Sequence, residues 1–290
     1  MGEIFDALQR AQESTEEAAG PPREEEAPPS AAPTSEVPID VVQTGGDPLP
    51  FEGGAKVELS TELMADWVAR AVVSAPASDA ASRFRHMAIR MRHVLKEAQG
   101  PMLAVSSANA GEGKTTTSCN LALALASMTS RGAVALVDAD LRSPRVADAL
   151  GIEFEVGFDR VLSGEASLAD ARVRTQFPSL DLYPSRCFGR DSHELLSDAW
   201  VGKVMSDLGS HYDAVILDCP PVLPVPDARL LAEYANACVL VVRAGNTRTR
   251  ALKEALRYLE HAPVAGVFVN CLDRRGAGSY YYAYGADGAN

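Results

Sequence analysis

The sequence predicts an α/β fold, a doubly wound, mostly parallel sheet flanked by helices. Three observations carry this expectation. Six segments read as strands, Met102–Ser106, Ala133–Val137, Leu180–Tyr183, Ala214–Leu217, Cys238–Val242 and Val264–Val269, and nearly all are short continuous apolar runs, the sign of burial on both faces. Segments of helical periodicity alternate with them, at Thr115–Thr129, His193–Leu208, Asp227–Glu233 and Thr249–Glu260. The acidic and proline-rich residues lie apart from this alternation, near the N-terminal end.

Along the chain, residues 1–12 place Ile4, Phe5 and Leu8 on one helical face, a stretch too short for a stable isolated helix. It either folds against a partner or frays. Residues 13 to about 55 are rich in Glu, Ala, Pro and Gly and bury too little apolar surface to offset chain entropy, so they read as a disordered tether. Ser60 to Val73 carries Leu63, Met64, Trp67, Val68, Ala71 and Val72 at helical spacing. A longer helix, Ser82 to Glu97, turns Phe84, Met87, Ala88, Met91 and Leu95 inward and lines its outside with arginines, the pattern of a solvated face. The chain thus divides into an acidic, largely disordered N-terminal region with short helices (1–79), an α/β domain (80–272) and a flexible tail (273–290).

The net charge of −12 belongs almost wholly to the first part, because residues 1–80 hold 16 acidic and 4 basic side chains and residues 81–290 hold 23 of each. No basic excess supports a nucleic-acid partner. The hydrophobic fraction of 47% is ample for a core. The five cysteines (Cys119, Cys187, Cys219, Cys238, Cys271) form no C-x-x-C pair and read as small core residues of a reducing compartment. No run of about 18 apolar residues and no signal-peptide pattern is present, so a soluble, cytoplasmic protein is expected.

The chemistry-bearing residues fall at strand ends, where ligands bind in such sheets. After Met102–Val105 comes Ala108-Asn-Ala-Gly-Glu-Gly-Lys114-Thr115, then an apolar helix. This is the strand, loop and helix order of a P-loop, with Ala108 in place of the first consensus glycine. Ala110, Gly111, Glu112, Gly113, Lys114, Thr115 and Thr116 would line a phosphate cradle, Lys114 reaching the β- and γ-phosphates and Thr115 ligating Mg²⁺. A second strand ends in Asp138-Ala-Asp140-Leu-Arg142, and a third in Leu217-Asp218-Cys-Pro-Pro221, whose Asp218 stands at the Walker B position and holds Mg²⁺. Asn270, at the end of the last strand, is a candidate for adenine recognition. The tail gathers four of the eight tyrosines, Tyr280, Tyr281, Tyr282 and Tyr284, among small residues that cannot bury them.

Together these motifs resemble those of the bacterial tyrosine kinases of capsule and exopolysaccharide systems, over about residues 80–290. The resemblance extends to Gly157-Phe-Asp-Arg-Val-Leu-Ser-Gly-Glu165, Pro224-Val-Pro-Asp-Ala-Arg229 and Val241-Val-Arg-Ala-Gly-Asn-Thr247. It implies a P-loop NTPase fold, with Asp138 to Arg142 as the Walker A′ motif. It also implies an ATP·Mg²⁺-dependent autokinase acting on the C-terminal tyrosine cluster. Asp138 is then the base or orienting group for the tyrosine hydroxyl, since an unperturbed tyrosine with a pKa near 10 needs one; Asp140 supports the metal through water. The expected partners are a separate chain-length-determinant-type activator at the inner face of the cell membrane, a second copy for trans-phosphorylation, and a tyrosine phosphatase. One departure concerns assembly. Where members carry Glu-x-x-Arg-x-x-Arg for subunit contacts, this chain has Ser82, Arg85 and Ala88. Two rivals differ in class: a Min/Par-type ATPase switch, whose signature lysine is replaced here by Asn109, and a nucleotide-binding scaffold without kinase activity.

Overall fold

The alternation resolves into one sheet whose eight strands are β1 (Ala55–Lys56), β2 (Met102–Ser107), β3 (Val134–Asp138), β4 (Val173–Arg174), β5 (Leu180–Tyr183), β6 (Ala214–Asp218), β7 (Ala237–Arg243) and β8 (Val264–Asn270). The computed structural model describes residues 54–59, 72, 75–128, 133–186, 192–197 and 199–272. The strand order is β1-β4-β5-β3-β6-β2-β7-β8, and every neighbouring pair is parallel except β4 with β5. The six longer strands are those the apolar runs predict, displaced by a residue or so at some ends. β2, β3, β5 and β6 are buried throughout; runs of four apolar residues account for this in β2, β3 and β6, while β5 buries Asp181 as well. β8 is half-buried at all seven positions because it forms the sheet edge, so its apolar run does not mark a strand covered on both faces.

The longest helix among the described residues is α1 (Asp79–Glu97), capped by Ser78, whose hydroxyl accepts from Ala81 N. Its inward face is Ala81, Phe84, Met87, Ala88, Met91 and Leu95, which packs on α2 (Lys114–Ser127). α2 is buried nearly all round, so packing rather than amphipathicity holds it. Shortening its fully buried Leu121 to Ala would cost about 2–5 kcal/mol. Three short helices follow: α3 (Val146–Leu150), α4 (Phe158–Leu162) and α5 (Leu168–Ala171). None exceeds five residues, too short for a periodic signal to mark them in sequence.

The single helix expected over 193–208 is two, α6 (Ser192–Leu196) and α7 (Ala199–His211). At the break Ser197 N still donates to His193 O at 3.1 Å, and its hydroxyl adds a bond to the same carbonyl at 2.7 Å. α8 (Asp227–Ala232) and α9 (Thr249–Tyr258) complete the set. α7 packs on β6 and α8 on β2, while α1 and α2 share the cluster containing Leu103, Leu136 and Ile216. Both faces of the sheet are therefore covered.

At the far edge the chain just beyond the expected tether joins the sheet. Ala55–Lys56 pairs with Val173–Arg174, and the Gln176 side chain bonds both the N–H (2.8 Å) and the C=O (3.0 Å) of Leu59. Leu59 and Val72 are buried, so the N-terminal region supplies part of the sheet and of the core. Pairing of two-residue strands is set by tertiary contact and leaves no propensity signal. Cys119, Cys219 and Cys238 are buried core thiols, as expected; burial pushes all three up, Cys238 to about 12. Cys271 is exposed. Among the described residues no helix is long and apolar enough to cross a membrane.

Candidate active site

β2 lies between β6 and β7, and the chain leaves it toward β3 on one side and reaches β7 on the other. The crevice at the carboxyl end of β2 is thus a topological switch point, and the P-loop fills it. Gly111 (φ 79°) and Gly113 (φ 94°) adopt left-handed conformations that a side chain would strain. A Cβ on Gly113 would also clash with Asn270 Nδ2. Gly113 caps α2 without any side-chain hydrogen bond, which leaves the helix N-terminal amides for an anion. Ala108 is wholly buried and its carbonyl accepts from Leu223 N at 3.2 Å, so the small-for-small replacement is accommodated. The Pro-Pro turn after β6 is laced to the same strand: Cys219 N donates to Val105 O (2.9 Å), Ser106 Oγ to Pro220 O (2.6 Å) and Val222 N to Ser107 O (2.8 Å).

Around Lys114 the structure brings together Asp138, Asp140 and Asp218. Lys114 Nζ donates to Asp140 Oδ2 at 2.7 Å and stands 4.0 Å from Asp218 Oδ2. Asp138 and Asp218 are register partners at the ends of β3 and β6. Asp138 Oδ2 accepts from Arg145 N and Val146 N, both at 2.9 Å, and Asp218 Oδ1 accepts from Ser118 Oγ at 3.0 Å. The other oxygen of each, Asp138 Oδ1 and Asp218 Oδ2, is buried without a hydrogen-bond partner. Burial, reinforced by the charge of Asp218, holds Asp138 well above the ordinary carboxylate range. Burial also raises Asp218, against the opposing pull of Lys114, Thr115 and Ser118. Burial works to lower Lys114, but the carboxylates of Asp218 and Asp140 outweigh it and hold the ammonium above its usual range.

Three aspartates, one hydroxyl (Thr115) and one lysine make a site with more acid than base, and two of its buried carboxylate oxygens have no donor. Among the described residues no group of three or more His, Cys, Asp or Glu forms a ready cation cage. Thr115 with the open oxygen of Asp218 is a donor set suited to Mg²⁺, which takes one or two carboxylates and completes its shell with phosphate and water. The residues therefore fit a magnesium-nucleotide.

The remaining predicted residues fall as follows. Ala110 and Gly111 are exposed at the loop tip, and Thr116 is half-buried on α2. Asn270 presses on the loop from β8, donating to Glu112 O at 3.1 Å and accepting from Cys271 N at 2.9 Å. Arg142 turns to Asp227, through Nε at 3.0 Å and Nη2 at 3.2 Å, and Ser192 Oγ bonds the same carboxylate. It anchors the Asp138–Arg142 segment on α8. Tyr280, Tyr281, Tyr282 and Tyr284 lie outside the described residues. Ser118 has no assigned role in the sequence reading, and Arg243 and Thr247 enter it only within the Val241–Thr247 stretch of the resemblance. Ser118 sits four residues from Lys114 on one helical turn, the one signal that could have found it. A cavity of about 340 Å³ opens at the opposite strand ends, between Gln99–Met102 and α7; no charged residue lines it.

An AAA domain matches residues 100–262. Tyrosine-protein kinase YwqD of Bacillus subtilis (strain 168) is 34% identical over 184 residues, 62% of this chain and 77% of its own. The chain belongs to the bacterial tyrosine kinases. EpsB of Ralstonia solanacearum, named a putative tyrosine-protein kinase, is 30% identical over 221 residues, 76% of this chain but 28% of its own. The chain thus spans about three quarters of one relative and little more than a quarter of the other. Among solved structures, the VpsO kinase domain is 32% identical with a TM-score of 0.59, covering 67% of this chain and 98% of that one. The septum site-determining protein MinD of Pyrococcus horikoshii OT3, in complex with Mg-ADP, shares the fold alone, at 24% identity and a TM-score of 0.50 over 58% of this chain and 69% of that one. In this bacterial kinase the P-loop and the two aspartate-bearing strands occupy the positions that a nucleotide-binding fold requires.

Proposed function

We propose that this chain is an ATP-dependent tyrosine autokinase that phosphorylates Tyr280, Tyr281, Tyr282 and Tyr284 and thereby regulates synthesis and export of an exopolysaccharide or capsule. The observation that carries the reading is the pair of open carboxylate oxygens, Asp138 Oδ1 and Asp218 Oδ2, on adjacent strand ends beside Lys114. Residues 80–272 act as the kinase domain, 273–290 as its substrate tail and 1–79 as the N-terminal region that contains the tether. Thr115 and Asp218 would hold Mg²⁺, with Asp140 in support. Bound Mg²⁺ would neutralise charge across the β- and γ-phosphates.

The chain's own groups do the rest. Lys114 leaves Asp140 for the phosphoryl oxygens, and the amides of Gly111 to Thr115 face the same charge. Asp138, made more basic by burial, accepts the tyrosine proton at Oδ1. The tyrosyl oxygen bonds the γ-phosphorus as the bond from that phosphorus to the β–γ bridging oxygen breaks. With a loose transition state, placing the hydroxyl in line matters more than strong base catalysis.

The tyrosine tail serves its own site or that of a second copy, and a tyrosine phosphatase reverses the modification. A separate chain-length-determinant-type membrane protein recruits the cytoplasmic kinase to the inner face of the membrane and completes its active form. The purified chain alone is then a weak kinase; high autophosphorylation without a partner would sink that part. The central test is incubation with ATP·Mg²⁺ and mass spectrometry of the C-terminal peptide. Phosphate should appear on the tail tyrosines and fall by about 10³-fold in Lys114→Met. ATP hydrolysis with no modified tyrosine would instead favour a Min/Par-type switch.

A further inference from the structure

Glu112 is an acid inside a loop built for a polyanion, and the structure shows how its charge is managed. The side chain is 1% exposed. Its Oε2 accepts from Asn109 N at 3.0 Å, and its Oε1 accepts from Asn109 Nδ2 at 3.3 Å and from Thr247 Oγ1 at 2.7 Å. The Thr247 hydroxyl oxygen itself accepts from Arg243 N at 2.8 Å, which leaves its proton for Glu112. Two more bonds tie the same turn: Arg243 Nη1 to Gly111 O at 3.5 Å and Asn270 Nδ2 to Glu112 O at 3.1 Å. The loop from Arg243 to Thr247, which follows β7, thus grips the phosphate loop from outside.

We infer that Thr247 and Asn109 are positioning residues that hold the Glu112 carboxylate out of the phosphate cradle, and that the Arg243–Thr247 loop thereby sets nucleotide affinity. This rests on the nucleotide-binding reading above. The physical reason is Coulombic. Glu112 immediately precedes Gly113-Lys114, so a carboxylate released from its three donors would stand among the amides that face the phosphates and would repel them. Held by charge-assisted hydrogen bonds to Asn109 and Thr247, it instead braces the loop in its open, amide-in form. Asn109, at the position where Min/Par ATPases carry their signature lysine, is committed to this clasp.

The test measures binding of a fluorescent mant-ADP with Mg²⁺ to the full chain, together with hydrogen exchange at residues 109–113 in nucleotide-free protein. Thr247→Val should weaken binding about tenfold, the equivalent of one such hydrogen bond. It should also speed exchange in the free loop. Thr247→Ser, which keeps the hydroxyl, should stay within about twofold of the parent. Thr247→Ala replaces the valine variant if the branched methyls disturb the turn. The decisive variant is Thr247→Val combined with Glu112→Gln, which should regain most of the lost affinity because the freed group is neutral. A merely structural role would give no such rescue. Parent-like affinity in Thr247→Val, or a double variant as weak as the single, overturns the inference and leaves the kinase reading standing. No mant-ADP binding by the parent chain overturns both.

Discussion

Two buried acid clusters lie in this sheet, and they are handled in opposite ways. Asp181, on β5, accepts at Oδ2 from Arg172 Nε and from Tyr212 OH, each at 2.9 Å. Tyr183 OH in turn donates to Tyr212 OH at 2.8 Å, since the Tyr212 proton is already committed to Asp181. Burial raises Asp181, and Arg172 pulls against it; burial also carries both tyrosines above their usual range. This cluster is satisfied from within. Asp138 and Asp218 are as deeply buried, yet each keeps one oxygen without a donor. An unmet buried carboxylate is costly, and a fold retains one where something else supplies the missing partner. The difference separates a group that holds the sheet together from a pair kept open for chemistry.

Breaking each cluster should sharpen that contrast. The largest effect is expected from Arg172→Met, which strands a buried Asp181: stability should fall by about 3–5 kcal/mol in denaturant unfolding. Nucleotide affinity should hardly change under conditions where the variant stays folded. A shared loss of both would erase the contrast. Next comes Asp138→Asn, which should lower tyrosine phosphorylation about a hundredfold while stabilising the free protein by about 1 kcal/mol. The pH trend carries the sign. Asp138 sits above its ordinary value, so the folded state favours its protonated form. That contribution is full below the ordinary carboxylate range and is lost as pH rises through the raised value. The asparagine variant lacks this loss, so its advantage should grow with pH in melting curves taken from acid toward neutrality. An advantage that shrinks instead would mean Asp138 is stabilised as an anion. The smallest effect should come from Tyr183→Phe, which removes one outer bond of the satisfied network and costs about 0.5–1.5 kcal/mol without touching catalysis.

The sequence read much of the frame because the frame is encoded locally. Continuous apolar runs such as Ala214–Leu217 mark buried strands, and Phe84, Met87 and Met91 mark a helix face at a spacing that survives without neighbours. The switch-point loop was equally plain, since Gly111, Gly113 and Lys114 meet a backbone requirement that few other residues could. Shorter pieces escaped. Ala55–Lys56 is a strand only because Val173–Arg174 lies beside it.

By itself, then, the sequence determined the α/β class, the P-loop and the identity of the residues at the ends of three strands, all properties of contiguous segments. Only the tertiary structure decided what those residues do to one another. Parallel pairing set Asp138 against Asp218, which lie 80 positions apart, and left an oxygen of each unmet. The packing of β7 and its following loop brought Thr247 to Glu112 across 135 positions. Such partnerships carry no local signal, because charge and hydrogen bonding act through space while sequence order records only the chain.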